Sequence, residues 1–195
     1  MKLGRAIAAS ILLASAVPVA AQSHSDSYSF LKAVKERDGA KVTALIGSPG
    51  STAINTRDRG SGEGALHYIV RERDLVWLTF LLGKGARPDL QSNRAETPLI
   101  LASQIGWVEG AQALLGRRAS VDLANSRGET PLILAVQRRD LAMVRLLLSK
   151  GASPRRTDNV AGLSALDYAR RDPRAAAILK LLEAKPAAPA QGPKL

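Results

Sequence analysis

The sequence predicts an all-α solenoid of about five helix–turn–helix units, and three observations predict it. Glu-Thr-Pro-Leu-Ile-Leu-Ala occurs twice, at Glu96 to Ala102 and Glu129 to Ala135, an offset of 33 residues. Leucine pairs keep the same register at Leu81-Leu82, Leu114-Leu115 and Leu147-Leu148, and a further pair stands at Leu181-Leu182. The composition, 46% hydrophobic but only 4% aromatic, calls for an aliphatic core assembled from many small contacts.

The chain opens with Lys2 and Arg5, followed by a small-apolar run from Ala6 to Val17, the anatomy of a secretory signal peptide. The run is too short to span a bilayer, and Pro18 would break a buried helix. Val19, Ala20 and Ala21 place the cut after Ala21, so residues 1–21 are expected to direct export, to the periplasm if the source is bacterial and otherwise to the outside. Residues 22–27 read as a short polar segment, with His24 expected to be disordered, and 28–184 as the repeats. Units fall at about 28–58, 59–92, 93–125, 126–158 and 159–184, and 185–195 form a Pro/Ala-rich tail expected to be disordered.

Within each unit, Thr97 and Thr130 are placed to cap a first helix, with Pro98 and Pro131 at the first helical position, where a missing N–H costs nothing. Leu99, Ala102, Leu132 and Ala135 face the stack, and the leucine pairs lie in a second helix. Gly85 and Gly151 are suited to the left-handed conformation that ends it. The third unit is the weak one, since Gly110 interrupts its second helix and Arg118 stands where its sisters carry glycine; that helix is expected to open first.

These motifs, Ala65-Leu66-His67, Thr97-Pro98-Leu99, Thr130-Pro131-Leu132 and Leu147-Leu148 with Gly151-Ala152, make the chain similar to the ankyrin-repeat family over about Tyr28 to Ala184. A weaker first unit is readable in Phe30 to Val34 and Val42 to Ile46, with extra residues around Ser48 to Ser51 and Arg59 to Gly62. The resemblance implies a partner protein bound on the concave face of first helices and hairpin tips. It also implies that His67 hydrogen-bonds between units, in a network left incomplete by Ile100, Ile133 and Asp167.

Charge is the other informative feature. The chain carries 28 Lys plus Arg against 17 Asp plus Glu, formally +11, which points to an acidic partner. Glu63, Glu96 and Glu129 form an acidic line near the start of helix one, and Lys84, Arg117 and Lys150 a basic line at the end of helix two; the helix dipole accounts for both. Arg71, Arg73, Arg138, Arg139, Arg170 and Arg171 cluster near the end of helix one, and Arg94 and Arg127 fall at adjacent tips. They form either a basic groove for a partner or solvated arginines paired with Glu72, Asp74, Asp140 and Asp172. Trp77 reads as core, filling space that Gly110 leaves in the next unit. Trp107, aligned with Asp74 and Asp140 at the interhelical turn, is either an exposed contact anchor or folds over Ile105.

No residue set points to catalysis. There is no cysteine, only two histidines, no nucleophile elbow and no phosphate-cradling loop, so no enzyme, metal or cofactor is expected. Nucleic acid is not expected, for want of interleaved aromatics and because of export. The reading is therefore a monomeric binding module for another protein, as an adaptor, inhibitor or immunity-like neutraliser. A basic binder of polyanions or anionic membranes is the alternative, and a structural envelope protein the third reading.

Overall fold

The computed structural model describes residues 19–47 and 51–184. Ten α-helices follow in pairs among these residues: α1 Val19–Lys35 with α2 Gly39–Gly47, α3 Ala65–Arg71 with α4 Leu75–Gly83, α5 Pro98–Ile105 with α6 Val108–Gly116, α7 Pro131–Gln137 with α8 Leu141–Ser149, and α9 Ala165–Arg171 with α10 Ala176–Glu183. The pairs make five stacked units, as expected. Most of the expected signal segment and the whole tail lie outside the described residues. Residues 22–27, expected as a separate and disordered stretch, belong instead to α1, because neither Gly nor Pro interrupts the chain between Val19 and Lys35.

The start of each first helix is built as its sequence implies. Thr97 Oγ1 accepts the Ile100 N–H at 3.2 Å and Thr130 Oγ1 the Ile133 N–H at 3.3 Å, with Pro98 and Pro131 in the first turn. In the last unit Ser164 and Asp167 cap each other reciprocally. The first helices stack in one layer, α5 between α3 and α7, and α7 against α9; α6 lies between α4 and α8, and α10 against α8. Leu99, Ala102, Leu132 and Ala135 are completely buried in this layer. Burying such aliphatic side chains contributes on the order of 1.5–3 kcal/mol each for the larger ones.

Three hydrogen-bond ladders lock successive units. Neighbouring tips are joined by Asn93 N–H to Ser61 O, Ser126 N–H to Arg94 O and Asn159 N–H to Arg127 O, at 2.8–2.9 Å. At the far end, Asn55, Asp89 and Asp122 accept the backbone N–H of Arg87, Ser120 and Ser153 in the following unit. The third runs through the interhelical turns and involves the predicted arginines. The first and last tips each hold one residue more than the two between them, which shifts the fourth repeat offset from 33 to 34.

Second helices end in a left-handed residue, Gly85 (φ 92°) and Gly151 (φ 87°) as expected, and Arg118 at φ 64° in the third unit. A side chain in that region costs about 1–2 kcal/mol. Arg118→Gly is therefore expected to raise stability by about 0.5–1 kcal/mol in urea unfolding, net of the added entropy of the unfolded chain; a loss would contradict the strain.

Candidate functional site

The face made by hairpin tips and first helices is organised around polar turns. Asp58, Ser92, Asn125 and Asp158 each accept two or more backbone N–H groups of their own tip. Each tip then bends through one left-handed residue, Gly62, Ala95, Gly128 or Gly162. This geometry lifts the residue before the bend clear of the stack in the middle two units, so Arg94 and Arg127 keep 75% and 63% of their side chains exposed.

Beneath them runs a row of buried carboxylates. Glu63, Glu96 and Glu129 are only 6–7% exposed. The helix dipole accounts for their place near the start of helix one; the turn also folds them under the tips, where each finds a cation. Glu63 accepts both Nη groups of Arg71. Arg94 Nη2 approaches Glu96 Oε2 at 3.4 Å and Arg127 Nη2 approaches Glu129 Oε1 at 3.5 Å; Asn125 Nδ2 also donates to Glu129 at 2.9 Å. Glu96 Oε2 has no hydrogen-bond partner of its own. The Arg71 guanidinium holds the Glu63 carboxyl below its ordinary range, against the opposing effect of burial. The outcome is a surface whose acids are sunk and whose arginine heads face outward.

The other predicted arginines do a different job. Arg73 and Arg139 are left-handed at φ 52° and 57°, as is Arg37 at φ 60°, each in the turn between the two helices of its unit. Their side chains reach the next unit: Arg37 Nε donates to Asp74 at 2.9 Å, Arg139 Nε to Asp172 at 2.5 Å, and Arg73 to the Ile105 carbonyl. These are inter-unit clasps, so Arg73 and Arg139 are not free contact residues. Asp172 is among the acids that the solvated-and-paired reading offered as partners. Gly106 (φ 67°) takes the same turn position in the third unit, and Arg138 of the fourth packs over it beside Asp140: a Cβ at Gly106 would lie 3.2 Å from Arg138 Nη2 and 3.1 Å from Asp140 Oδ2. Arg71 is tied down to Glu63, while Arg171 is exposed at the end of α9. The predicted set is therefore split, with Arg94 and Arg127 at the tips and Arg73 and Arg139 in the joints.

Trp107 is not an exposed anchor. It is 5% exposed. Its indole lies over Gly110, where an added Cβ would sit 2.1 Å from the ring carbon Cε3. In the sister units an aspartate caps the second helix, Asp74 accepting the Trp77 N–H at 3.0 Å and Asp140 the Met143 N–H at 2.9 Å, and a large side chain follows three residues on. The third unit inverts this arrangement: the large group stands at the cap and glycine three residues later, so the space is filled from the other end. The absence of an aspartate at position 107 is also why Arg73 turns to a carbonyl. Trp77 accordingly does not fill the space beside Gly110. It is half-buried, edge-on to Phe80 at 5.3 Å, with the Arg37 guanidinium 5.6 Å from its ring.

His67 is a structural residue between units. Its Nδ1 accepts the Gly64 N–H at 3.1 Å, which leaves the proton on Nε2, and that nitrogen donates to the Glu96 carbonyl of the next unit at 2.8 Å. Burial lowers its pKa.

One group escaped the sequence reading. Residues 84–89, 117–122 and 150–156, at the end of three successive second helices, read Lys-Gly-Ala-Arg-Pro-Asp, Arg-Arg-Ala-Ser-Val-Asp and Lys-Gly-Ala-Ser-Pro-Arg-Arg. Lys84, Arg117 and Lys150, expected there as helix-end cations, each occupy a C-cap. Their four basic neighbours, Arg87, Arg118, Arg155 and Arg156, were not read with them, although the same 33-residue alignment brings all seven together.

A family profile described as ankyrin repeats in three copies matches residues 66–158 and 110–187. The match covers the second to fifth units; the first pair, α1 and α2, lies before it and stacks through Phe30, Ala33, Val34 and Val42, all completely buried. With helix pairs in that register, an inter-unit histidine and hairpin tips joined at a 33-residue spacing, the chain belongs to the ankyrin-repeat family.

Proposed function

We propose that the protein is exported and acts by binding an acidic partner protein through its tips and first helices, as an adaptor, inhibitor or neutraliser. Ankyrin repeats are in general protein–protein interaction modules rather than catalysts. The observation that carries the proposal is the pair Arg94 and Arg127, one repeat apart, each mostly exposed and oriented from below by a buried glutamate. A guanidinium held in this way loses less entropy on meeting a carboxylate than a free side chain would. Export rests on the Lys2, Arg5 and Ala6 to Val17 pattern.

The experiment is a pull-down from the exported fraction at low and high salt, using the wild type and Arg94→Glu/Arg127→Glu. A stoichiometric protein retained by the wild type and lost by the double variant is the expected result. Equal capture by both would remove the tips from the interface. Protein sequencing of the exported form should begin at Gln22; an intact Met1 outside the cytoplasm would overturn the processing site.

A further inference from the structure

Among the described residues, single unpaired cations such as Lys41, Arg59 and Lys180 are scattered over the molecule, but the ion pairs leave one whole row of cations along an edge unpaired. Arg37, Arg71, Arg94, Arg127, Arg139, Arg170 and Arg174 all pair with carboxylates. Lys84, Arg87, Arg117, Arg118, Lys150, Arg155 and Arg156 are exposed and enter no ion pair among the described residues. The carboxylates within these stretches, Asp89 and Asp122, are engaged by Ser120 and Ser153 in the ladder between units. The helix dipole explains a cation at each C-cap, but not the four arginines beside them.

A second observation adjoins this edge. Helix α4, Leu-Val-Trp-Leu-Thr-Phe-Leu-Leu-Gly, carries no charge along its length. Val76 is 76% exposed and Leu75 41%, with Phe80 half-buried on the same face. At the position of Val76 the next unit has Glu109, and at that of Thr79 the next two have Gln112 and Arg145. The other second helices pack on one another, while α2 packs on α1 and does not lie closely along α4, which leaves this face open. Lys84 joins the two features, its Nζ standing 5.8 Å from the Phe80 ring at the C-terminal end of α4.

We infer that this edge and the outer face of α4 together form a peripheral docking surface for an anionic lipid bilayer. Apolar side chains beside unpaired cations match the boundary between acyl chains and anionic headgroups. A second copy of the chain would bring one basic edge against another, and a soluble polyanion would leave Val76 and Leu75 without a role. No helix among the described residues is long and apolar enough to cross a membrane.

The test measures partition of the full chain into vesicles of phosphatidylcholine alone and of phosphatidylcholine with phosphatidylglycerol. The readout is the change in the ratio of the two between wild type and variants, because every chain carries the same segment from Lys2 to Val17 and its contribution cancels. The wild type is expected to prefer the anionic vesicles, with the preference falling steeply as salt rises. Arg117→Gln/Arg118→Gly, which relieves the left-handed strain at position 118, should fold at least as well and lose about 30-fold of the preference. Val76→Ser should lower anionic partition severalfold. Arg94→Gln/Arg127→Gln removes the same charge from the other face and should have little effect. Equal losses from the two arginine pairs would reduce the effect to net charge and overturn the assignment. So would an unaffected Val76→Ser, polyphosphate bound in preference to vesicles, or a dimer by ultracentrifugation that Val76→Ser dissociates.

Discussion

Gly110→Ala is expected to destabilise the protein by about 1–3 kcal/mol, although the same change inside an ordinary helix would stabilise it by about 1 kcal/mol. The sign reverses because the new Cβ would stand 2.1 Å from the Trp107 ring, which is buried and has nowhere to move. Trp107→Asp alone should cost about 3–5 kcal/mol, as it empties the space that the ring fills. The informative variant is Trp107→Asp/Gly110→Met, which copies the Asp140 and Met143 arrangement of the fourth unit. It restores a helix cap worth about 1 kcal/mol, refills the space from the sister position and offers Arg73 an acid like the one Arg37 finds in Asp74. Urea denaturation of the wild type, Trp107→Asp, Gly110→Met and the double variant should show the double variant recovering most of the loss, with a coupling energy of about 2 kcal/mol or more. Additive losses would mean that the two positions do not share one space.

His67→Ile carries the second large effect, an expected loss of about 2–3 kcal/mol. Isoleucine occupies the corresponding positions 100 and 133, so volume is not the difficulty. The loss comes from the Gly64 N–H, which is left buried without an acceptor, and from the missing bond to the Glu96 carbonyl in the next unit. The histidine also makes stability depend on pH. Its folded pKa lies below the ordinary 6.5, so the unfolded chain takes up the proton first. Its contribution is complete above pH 6.5 and is lost as pH falls through that value towards the folded pKa, at up to about 1.4 kcal/mol per pH unit. Glu63, Asp158 and Asp172, whose pKa values are lowered, give way in the same direction but only in the carboxylate range. Unfolding measured at pH 7.5 and 5.5 should therefore show a drop in the wild type that is smaller in His67→Ile. An equal drop in both would place the titrating group elsewhere.

Much of the fold was legible because its signals are local and repeated. Thr-Pro at a helix start and Gly after a Leu-Leu pair act within one turn of chain, and a 33-residue period reveals them without any knowledge of contacts. The first unit was readable from its apolar spacing, although the family profile begins beyond it. Less of the candidate site was legible. Arg94 and Arg127 were placed correctly at adjacent tips, since tip position follows from the repeat register. For Arg73 and Arg139 the sequence leaves a groove and a paired surface both open, because alignment gives a side chain's place in its own unit, not the carbonyl or carboxylate it meets in the next.

The stacking of helix pairs, the places where each pair begins and ends, and the excess of cations over anions all follow from the order of the residues. Which cations are spent on ion pairs depends on how the units pack. Neutralisation depends on distances of a few ångströms between units, and that is why Glu63, Glu96 and Glu129 proved to be buried partners of arginine while the edge at Lys84, Arg117 and Lys150 stayed uncompensated. The same reason turned Trp107 inward: burial is a property of the space around a residue, and here that space exists because Gly110 has no side chain.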